Sequence, residues 1–221
     1  MKATDDSRGS ERGERLYGGL TAEERRVERR RRLIDTALDR FGTDGYTATG
    51  IERICSQAGV TARHFYDEFG SRETLLLAVF DEIVTSTLDA VAAAVAAAGP
   101  DPVEAVRRGI NAFLHSMLDD PRNARVQCLE VVGVSPELEA HRREVLHLYA
   151  HLVAEQGRAL GARDVPSERS RLAGALALVG GTNQLLVEYL LDDPAERPSL
   201  EDLTEDIVGI YVAVGHFDRP V

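Results

Sequence analysis

Residues 56–71, which run SQAGVTARHFYDEFGS, bring together side chains suited to nucleic acid. Arg63, His64 and Tyr66 lie within four positions of one another. Their N–H and O–H groups can donate hydrogen bonds to phosphate oxygens or to the edges of bases. The chemistry that this spacing suggests is therefore contact with DNA rather than a covalent reaction.

Acidic residues lie close to this basic cluster, and a surface that binds DNA has to keep their negative charge away from the phosphates. Asp67 and Glu68 follow the basic cluster, and the chain of 221 residues has a formal net charge of -11. Residues 1–80 are balanced in charge, so all of the excess acid lies in residues 81–221. We expect the two carboxylates at the far end of their helix, pointing away from a DNA groove.

A run of arginines adds to this asymmetry. Six of the eight residues from 25 to 32 are arginine. A basic binding module joined to an acidic regulatory part would show such a distribution. The alternative is that the run forms only the solvated face of a helix.

The composition is that of an ordinary globular protein. Hydrophobic residues make up 43% and charged residues 29%, and no apolar run approaches the roughly 20 residues of a membrane helix. Cys55 and Cys128 are far apart, which indicates neither a disulfide framework nor a cysteine zinc cluster. The polar N-terminus does not resemble a secretory signal, so we expect a cytoplasmic protein in which residues 1–20 form a disordered tail.

The sequence predicts an all-α fold, since no stretch alternates with the two-residue period of a strand. Thr21 and Glu24 form a capping box. Asp101, Asp120 and Ser135 each precede a proline, as at helix starts. The predicted helices are 21–41, 49–57, 61–67, 71–97, 102–118, 121–132, 136–160, 167–191 and 200–216.

Two of these helices are predicted to form a helix-turn-helix. Thr49 is predicted to cap the first, and Gly59 supplies the left-handed residue that joins two steeply crossed helices. Phe65 and Phe69 lie on the inward face of the second helix. Arg63 then points outward, as in a helix that enters the major groove with its first residues at the base edges.

From Arg32 to Asp81 the sequence resembles the N-terminal DNA-binding domain of the TetR family of transcriptional repressors. The matching residues are Ala37-Leu38, Phe41, Gly45-Tyr46, Thr49-x-Ile51-x-x-Ile54, Ala58-Gly59-Val60-Thr61, Phe65-Tyr66-x-x-Phe69 and Ser71-Arg72-Glu73-x-Leu75-Leu76. The resemblance implies a three-helix DNA-binding domain over residues 21–70. It also implies a helical effector-binding and dimerisation domain over residues 71–221, with residues 71–97 as the connector helix.

The resemblance further implies which residues contact DNA. Thr49 and Thr61 would hold phosphates through their hydroxyls and the N–H groups of their helix starts. Arg72 stands where the family commonly has a lysine, and should also contact phosphate. The full set is Thr49, Thr61, Ala62, Arg63, His64, Tyr66 and Arg72, with Tyr66 on a phosphate, residues 62–64 at the bases and Arg63 suited to a guanine.

The sequence departs from the family pattern at several positions, among them Arg63 and His64, which replace a commoner Gly/Ala-Thr pair. Cys55 replaces the usual alanine, and Glu68 stands where histidine is frequent. A carboxylate cannot take over a phosphate contact. Two alternatives also remain open, because Tyr66 could be a half-buried packing residue and His64 could merely cover the surface.

Residues 171–191, RLAGALALVGGTNQLLVEYLL, are apolar on nearly every side. A helix of that kind must be buried on every side, so we expect it to pack on its own domain and on a partner chain. Together, residues 167–191 and 200–216 are predicted to build the intermolecular four-helix bundle of a homodimer. The alternative is a central core helix in a monomer.

An effector pocket is predicted in the C-terminal part, lined by polar or sulfur-bearing side chains inside apolar helices. The candidates are Asn111, His115, Met117, Cys128, Glu130, Tyr149, Asn183, Gln184 and Glu188. Each one, taken singly, could instead be a satisfied core or interface residue. His147, His151 and Glu155 share one helix face at a spacing that zinc could use, although surface placement is the alternative; no metal or cofactor is predicted.

The resemblance implies a homodimeric repressor that binds palindromic double-stranded operator DNA and is released by an unknown small molecule. An activator of the same family is one alternative. Another is a helical small-molecule carrier or enzyme with a degenerate helix-turn-helix, which Glu68 and the overall acidity motivate. The sequence has no nucleophile elbow, HExxH motif or phosphate loop, so we do not expect an enzyme.

Overall fold

The computed structural model describes residues 21–161 and 167–215, and all regular secondary structure within them is helical. The helices are α1 Ala22–Thr43, α2 Ile51–Ala58, α3 Ala62–Phe69, α4 Arg72–Ala96, α5 Pro102–Leu118, α6 Pro121–Arg125, α7 Pro136–Ala159, α8 Glu168–Leu191 and α9 Leu200–Gly215, and a π-helical segment, Val126–Glu130, follows α6 directly. The all-α prediction is confirmed. Residues 1–20, for which the sequence predicts a disordered tail, lie outside the described part.

Local capping explains why the helix ends were predictable. The Thr21 hydroxyl accepts from the Glu24 N–H, and the Glu24 carboxylate accepts from the Thr21 N–H, so the predicted capping box is present. Asp101, Asp120 and Ser135 cap α5, α6 and α7, each with proline in the first turn. Within the described residues, no helix is both long and apolar enough to cross a membrane.

The helix-turn-helix is held by a small apolar core. Gly59 adopts the left-handed conformation, with φ 61° and ψ 38°, and ends α2 as predicted. Ile54 of α2 and Phe65 of α3 are fully buried, and Phe69 is nearly so. This packing sets the crossing of α2 and α3 and leaves the opposite side of α3 exposed.

The connector helix α4 packs against α1 on one side and against α5 and α7 further along. Helix α5 also packs on α9, while α7 packs on α8. The apolar core is continuous from α1 to α9 through Phe80, Leu114 and Ile207. Packed side chains therefore connect the C-terminal helices to the helix-turn-helix without a break.

The first helix, predicted to end at residue 41, continues through Gly42 to Thr43. Gly42 instead allows close packing between helices. A Cβ atom added there would lie 2.4 Å from the Cβ and 2.9 Å from the Cα of Arg122 on α6. The glycine is thus required by the contact between α1 and α6, and a helical wheel of α1 alone gives no sign of it.

Replacing Gly42 by alanine should destabilise the protein. Overpacking costs about 1–3 kcal/mol, and the better helix propensity of alanine offsets up to about 1 kcal/mol of that. Gly209 in α9 is the matched control, since among the residues that the structure describes none has an atom within 4 Å of a Cβ added there. Urea unfolding should show Gly42→Ala less stable and Gly209→Ala slightly more stable than the wild type; a stabilising Gly42→Ala would contradict the packing argument.

Candidate DNA-binding surface and effector cavity

The start of α3 presents an exposed polar surface. Ala62, Arg63 and His64 are all exposed, and the Arg63 side chain keeps 90% of its accessible area. Tyr66 is 54% exposed, with its ring packed edge-on against Phe65. This half-exposed placement fits both the predicted phosphate contact and the alternative of a packing residue. The DNA contacts themselves stay a prediction.

Thr61 is the N-cap of α3, at the position where the sequence predicts a helix start. Its hydroxyl accepts from the His64 N–H at 3.4 Å and lies 3.0 Å from His64 Nδ1. The contact fixes the imidazole over the first turn and leaves Nε2 for an outside partner. The helix start thus offers free N–H groups and an exposed side chain in the place where an anion binds well.

The prediction for Thr49 is wrong in two respects. Gly50, not Thr49, is the N-cap of α2. Thr49 is fully buried, and its hydroxyl donates to the Gly45 carbonyl at 2.8 Å. A threonine hydroxyl committed to the turn between α1 and α2 cannot reach a phosphate in this conformation, so its role is to fix that turn.

The Arg72 side chain makes two contacts within its own chain. Its guanidinium donates to the Thr49 carbonyl at 2.6 Å and lies 4.1 Å from the centre of the Tyr46 ring. Both contacts join the start of α4 to the turn before α2. The remaining N–H groups of the guanidinium are those left for the predicted phosphate.

The two acidic residues of α3 have different environments. Glu68 is only 14% exposed and forms ion pairs with Arg30 at 3.1 Å and Arg26 at 3.8 Å. It points towards α1 and away from the exposed side of α3, as expected. Asp67 does not fit that expectation, because its carboxylate lies 3.9 Å from Nε of Arg63.

A cavity of about 250 Å³ lies between α4, α5, α7, α8 and α9. Its walls are mostly aliphatic, with Phe113 and Tyr149 packed edge to face at 6.3 Å. Polar groups from Gln127, Tyr149, Thr182 and Asn183 lie along the lining. A largely apolar cavity with a few polar groups is the usual form of a small-molecule site.

Of the nine predicted pocket residues, only Tyr149 and Asn183 line this cavity. Cys128 lies behind the wall, where its thiol donates to Asn183 Oδ1 at 3.4 Å. Met117 is fully buried elsewhere in the core. Four more of the predicted residues lie outside the cavity and are exposed: Asn111, His115, Gln184 and Glu188. Their placement was wrong because hydrophobicity along a helix does not tell which of its faces borders a void.

The prediction that Glu130 lines the effector pocket is also wrong, because its carboxylate forms contacts elsewhere in the chain. One carboxylate oxygen accepts from the Tyr46 N–H at 2.7 Å, and the other from Arg125 Nε at 2.9 Å. Glu130 therefore joins the π-helical segment to the turn before α2. The same segment supplies Gln127 to the cavity, so one short element touches both the void and the helix-turn-helix.

Removing this carboxylate should loosen the turn. Glu130→Ala leaves the Tyr46 N–H without its partner, which costs about 1–3 kcal/mol locally. Hydrogen exchange should show faster exchange of the Tyr46 amide in this variant. The exposed Glu144 gives the control, and equal rates in Glu130→Ala and Glu144→Ala would mean that Glu130 does not hold the turn.

Within residues 21–161 and 167–215, no three His, Cys, Asp or Glu side chains are grouped to hold a metal ion. His147, His151 and Glu155 share a face of α7 without forming such a cluster. Glu155 is instead paired with Arg158. The zinc hypothesis for this face is not supported by the geometry.

Comparisons with known proteins agree with this architecture. The family model "Bacterial regulatory proteins, tetR family" matches residues 33–79. The regulator BetI of Agrobacterium fabrum is 30% identical over 162 residues, covering 69% of this chain and 74% of BetI. EthR of Mycolicibacterium smegmatis is 29% identical over 112 residues. That match covers 51% of each protein, so the chain spans about half the length of this curated relative.

A solved structure extends the likeness to the whole fold. The regulator FadR of Bacillus subtilis, in complex with stearoyl-CoA, superposes with a TM-score of 0.71 at 19% identity. The superposition covers 83% of this chain and 98% of FadR. The described helices thus define a helix-turn-helix protein with an all-helical C-terminal part. The chain belongs to the TetR family of bacterial regulators.

Proposed function

We propose that the chain is a homodimeric, cytoplasmic transcriptional repressor that binds a palindromic operator and releases it when a small molecule enters the cavity. The observation that carries this proposal is the exposed start of α3, where Thr61 caps the helix and Arg63 projects into solvent. Residues 21–70 would be the DNA-binding domain and residues 71–221 the effector-binding and dimerisation domain. Residues 71–97 would connect the two.

The acidity of the chain is compatible with this role. Glu68, which would repel a phosphate, is neutralised by Arg26 and Arg30 on its inner side. Glu68 is therefore a weaker argument for the alternative that the chain is a carrier or an enzyme. BetI and EthR, which match the chain, are both transcriptional regulators, and this also favours regulation over catalysis.

Dimerisation would use the outer faces of α8 and α9. Gly180 and Gly181 on α8 are exposed, and no atom of residues 21–161 or 167–215 lies within 4 Å of a Cβ added at either. Ile210 and Val214 on α9 are exposed large aliphatic residues. Two copies could bring these surfaces together as a four-helix bundle, with the glycines allowing close approach of the helices.

Protection mapping of the DNA upstream of the gene is the direct test. The dimer should protect one symmetric site, and its affinity should fall steeply as salt concentration rises. The protected site should be bound far more tightly than a scrambled sequence of equal length. Equally weak binding to both sequences would rule out a site-specific regulator.

Effector release is tested separately. Compounds that raise the melting temperature of the protein should be added to the preformed complex with DNA. A true effector must lower DNA affinity, since a ligand shifts an equilibrium only by binding one state better than the other. Compounds that bind the cavity without changing DNA affinity would contradict the effector role.

A further inference from the structure

The polar groups in the wall of the cavity are engaged within the protein. The Thr182 hydroxyl donates to the Leu178 carbonyl at 2.9 Å and lies 3.2 Å from the Tyr211 hydroxyl. The Asn183 oxygen accepts from the Cys128 thiol at 3.4 Å. The rest of this wall is aliphatic or aromatic. What the interior offers a ligand is therefore hydrocarbon surface, and the part of the ligand that lies there is apolar.

The inner end of the cavity does not offer a partner for a charge either. Burial raises the pKa of the Tyr149 phenol, and a side-chain hydrogen bond with Gln127 opposes this effect. Both polar groups have almost no exposed surface. Burial also raises the pKa of the Cys128 thiol, against the opposing charge of Arg142. That guanidinium pairs with Glu139 at 2.9 Å and is not among the described residues that line the cavity.

The charged side chains lie at the other end of the cavity. Among its described lining residues, only Arg158 and Arg171 are charged, and both are cations. Arg158 belongs to the last turn of α7, and Arg171 to the first turn of α8. The lining residues Gln156 and Ser170 at this end are exposed, so the cavity opens to solvent here. An anion at this opening would meet two positive charges.

Both arginines are available to such an anion. Arg158 pairs with Glu155 and Arg171 with Glu168, each three residues away on the same helix. The two carboxylates are largely exposed, and exposed pairs of this kind stabilise a protein by only about 0–1 kcal/mol. A guanidinium also has five N–H donors, more than one carboxylate can occupy. A ligand's anionic group can therefore join or replace either carboxylate at little cost.

The cavity is long and narrow. At the rise of an α-helix, Tyr149 lies about 13 Å along α7 from Arg158, and Thr182 about 16 Å along α8 from Arg171. The volume of about 250 Å³ is just below the roughly 300–1,000 Å³ of drug-sized pockets. These dimensions suit a hydrocarbon chain of medium length better than a bulky ring system.

We propose that the cavity binds a small anionic amphiphile, with its hydrocarbon chain inside and its negative charge at the opening beside Arg158 and Arg171. Two sources present this chemistry: a free fatty carboxylate, and an acyl thioester whose carrier holds the charge. The assignment rests on the proposed effector role of the cavity.

Calorimetric titration of the full-length protein with octanoate tests this ligand class. Octan-1-ol and octylamine have the same chain with a neutral and a cationic end. Octanoate should bind at least about ten-fold more tightly than octanol, because only its charge gains from the arginines. Octylamine should bind least well, since the two cations repel it. The affinity for octanoate should also fall as salt concentration rises, because the arginines lie at an open end.

Arginine variants locate the anionic group. Arg158→Gln and Arg171→Gln should each weaken octanoate about five-fold and leave octanol unchanged, whereas a merely structural arginine would affect both ligands alike. Arg169→Gln changes the net charge equally at an exposed position of α8 outside the lining and should have no effect. Arg142→Gln tests the inner end and should also have no effect.

Several outcomes would overturn the proposal. These are octanol binding as tight as that of octanoate, an equal loss from Arg169→Gln, a loss confined to Arg142→Gln, or no binding of octanoate at millimolar concentration. Octanoyl-CoA separates the two sources: tighter binding that depends on both arginines assigns the thioester, and weaker binding assigns the free carboxylate.

DNA binding without ligand is measured in parallel on the protected site. Absence of specific DNA binding together with the expected preference for octanoate would refute the regulator while leaving the ligand class intact. Specific DNA binding without any preference for the anion would refute the ligand class alone.

Discussion

Gly181→Arg is expected to convert the protein into a monomer that binds its operator about 10²–10⁴-fold more weakly. Gly181 lies on the exposed face of α8, beside Gly180, and a Cβ added there meets no atom of the described residues within 4 Å. In the proposed four-helix bundle it would put a charge into a dry interface, where an unpaired guanidinium is very costly. The loss on DNA follows because two linked half-site contacts become one.

Light scattering and analytical ultracentrifugation would report the change in mass, and fluorescence anisotropy the change in DNA affinity. The open space around Gly181 predicts that the monomer stays folded, with an unchanged circular dichroism spectrum. Ala93→Arg places the same side chain at an exposed position on α4 and should remain dimeric. A Gly181→Arg protein that remains dimeric would place the interface on another face.

Helix α8 has an exposed face, although its sequence is apolar on nearly every side. Residues 171–191 are apolar nearly all round, which predicts burial on every side. In the described chain, Ala175, Val179 and Leu186 are buried, whereas Ala173 and Ala177 lie on the exposed side with the glycines. The composition thus predicted more burial than the described part of the chain provides, and the proposed dimer interface would account for the difference.

Predictions based on local sequence were the most successful. A cap involves residues two or three apart, so the helix starts at Thr21, Thr61 and Asp101 could be assigned without knowledge of the fold. The same holds for the turn at Gly59, whose conformation is a property of the glycine itself. The resemblance placed the helix-turn-helix because its signature is also contained in one short segment.

Contacts between residues far apart in the sequence could not be predicted. The ion pair of Glu68 with Arg30 spans 38 positions, and the hydrogen bond of Glu130 to Tyr46 spans 84. No spacing rule indicates either one. Arg72 likewise has a partner in the Thr49 carbonyl, which depends on how the turn before α2 folds.

Helical periodicity did not indicate that Gln127 lines the cavity, because the periodicity changes in the segment that contains it. It lies in the π-helical segment, whose hydrogen bonds reach one residue further than those of an α-helix. A helical wheel with 3.6 residues per turn therefore assigns the wrong faces there. The available signal was a glutamine inside the apolar stretch 126–134, where Cys128 and Glu130 were chosen instead.

Arg63→Ala is expected to lower operator affinity by about 2–6 kcal/mol, since each of two half-sites loses a base contact worth about 1–3 kcal/mol. The Arg63 side chain is nearly fully exposed, and within the described residues the one ion pair seen for it is the loose contact with Asp67. It can therefore reach a groove without breaking a strong internal bond. Anisotropy titrations on the protected site and on a scrambled sequence would measure the effect.

The salt dependence separates base contact from phosphate contact. If Arg63 contacts a base, the slope of log affinity against log salt should stay the same in Arg63→Ala, whereas each lost phosphate contact reduces it by about 0.9. Arg143→Ala removes an exposed arginine from α7 and should change neither value. Equal losses on the operator and on scrambled DNA, with a reduced slope, would make Arg63 a phosphate contact.

A substitution at Asp67 provides a second test of the base contact predicted for Arg63. Its carboxylate lies 3.9 Å from Arg63 Nε, one helical turn along α3. Asp67→Asn removes a negative charge near the DNA, so it should tighten binding to every sequence. If the carboxylate also orients the guanidinium, the same change should reduce the ratio of specific to non-specific affinity. A double-mutant cycle with Arg63→Ala would then show coupling on the operator and none on scrambled DNA, because orientation matters only where Arg63 meets a base.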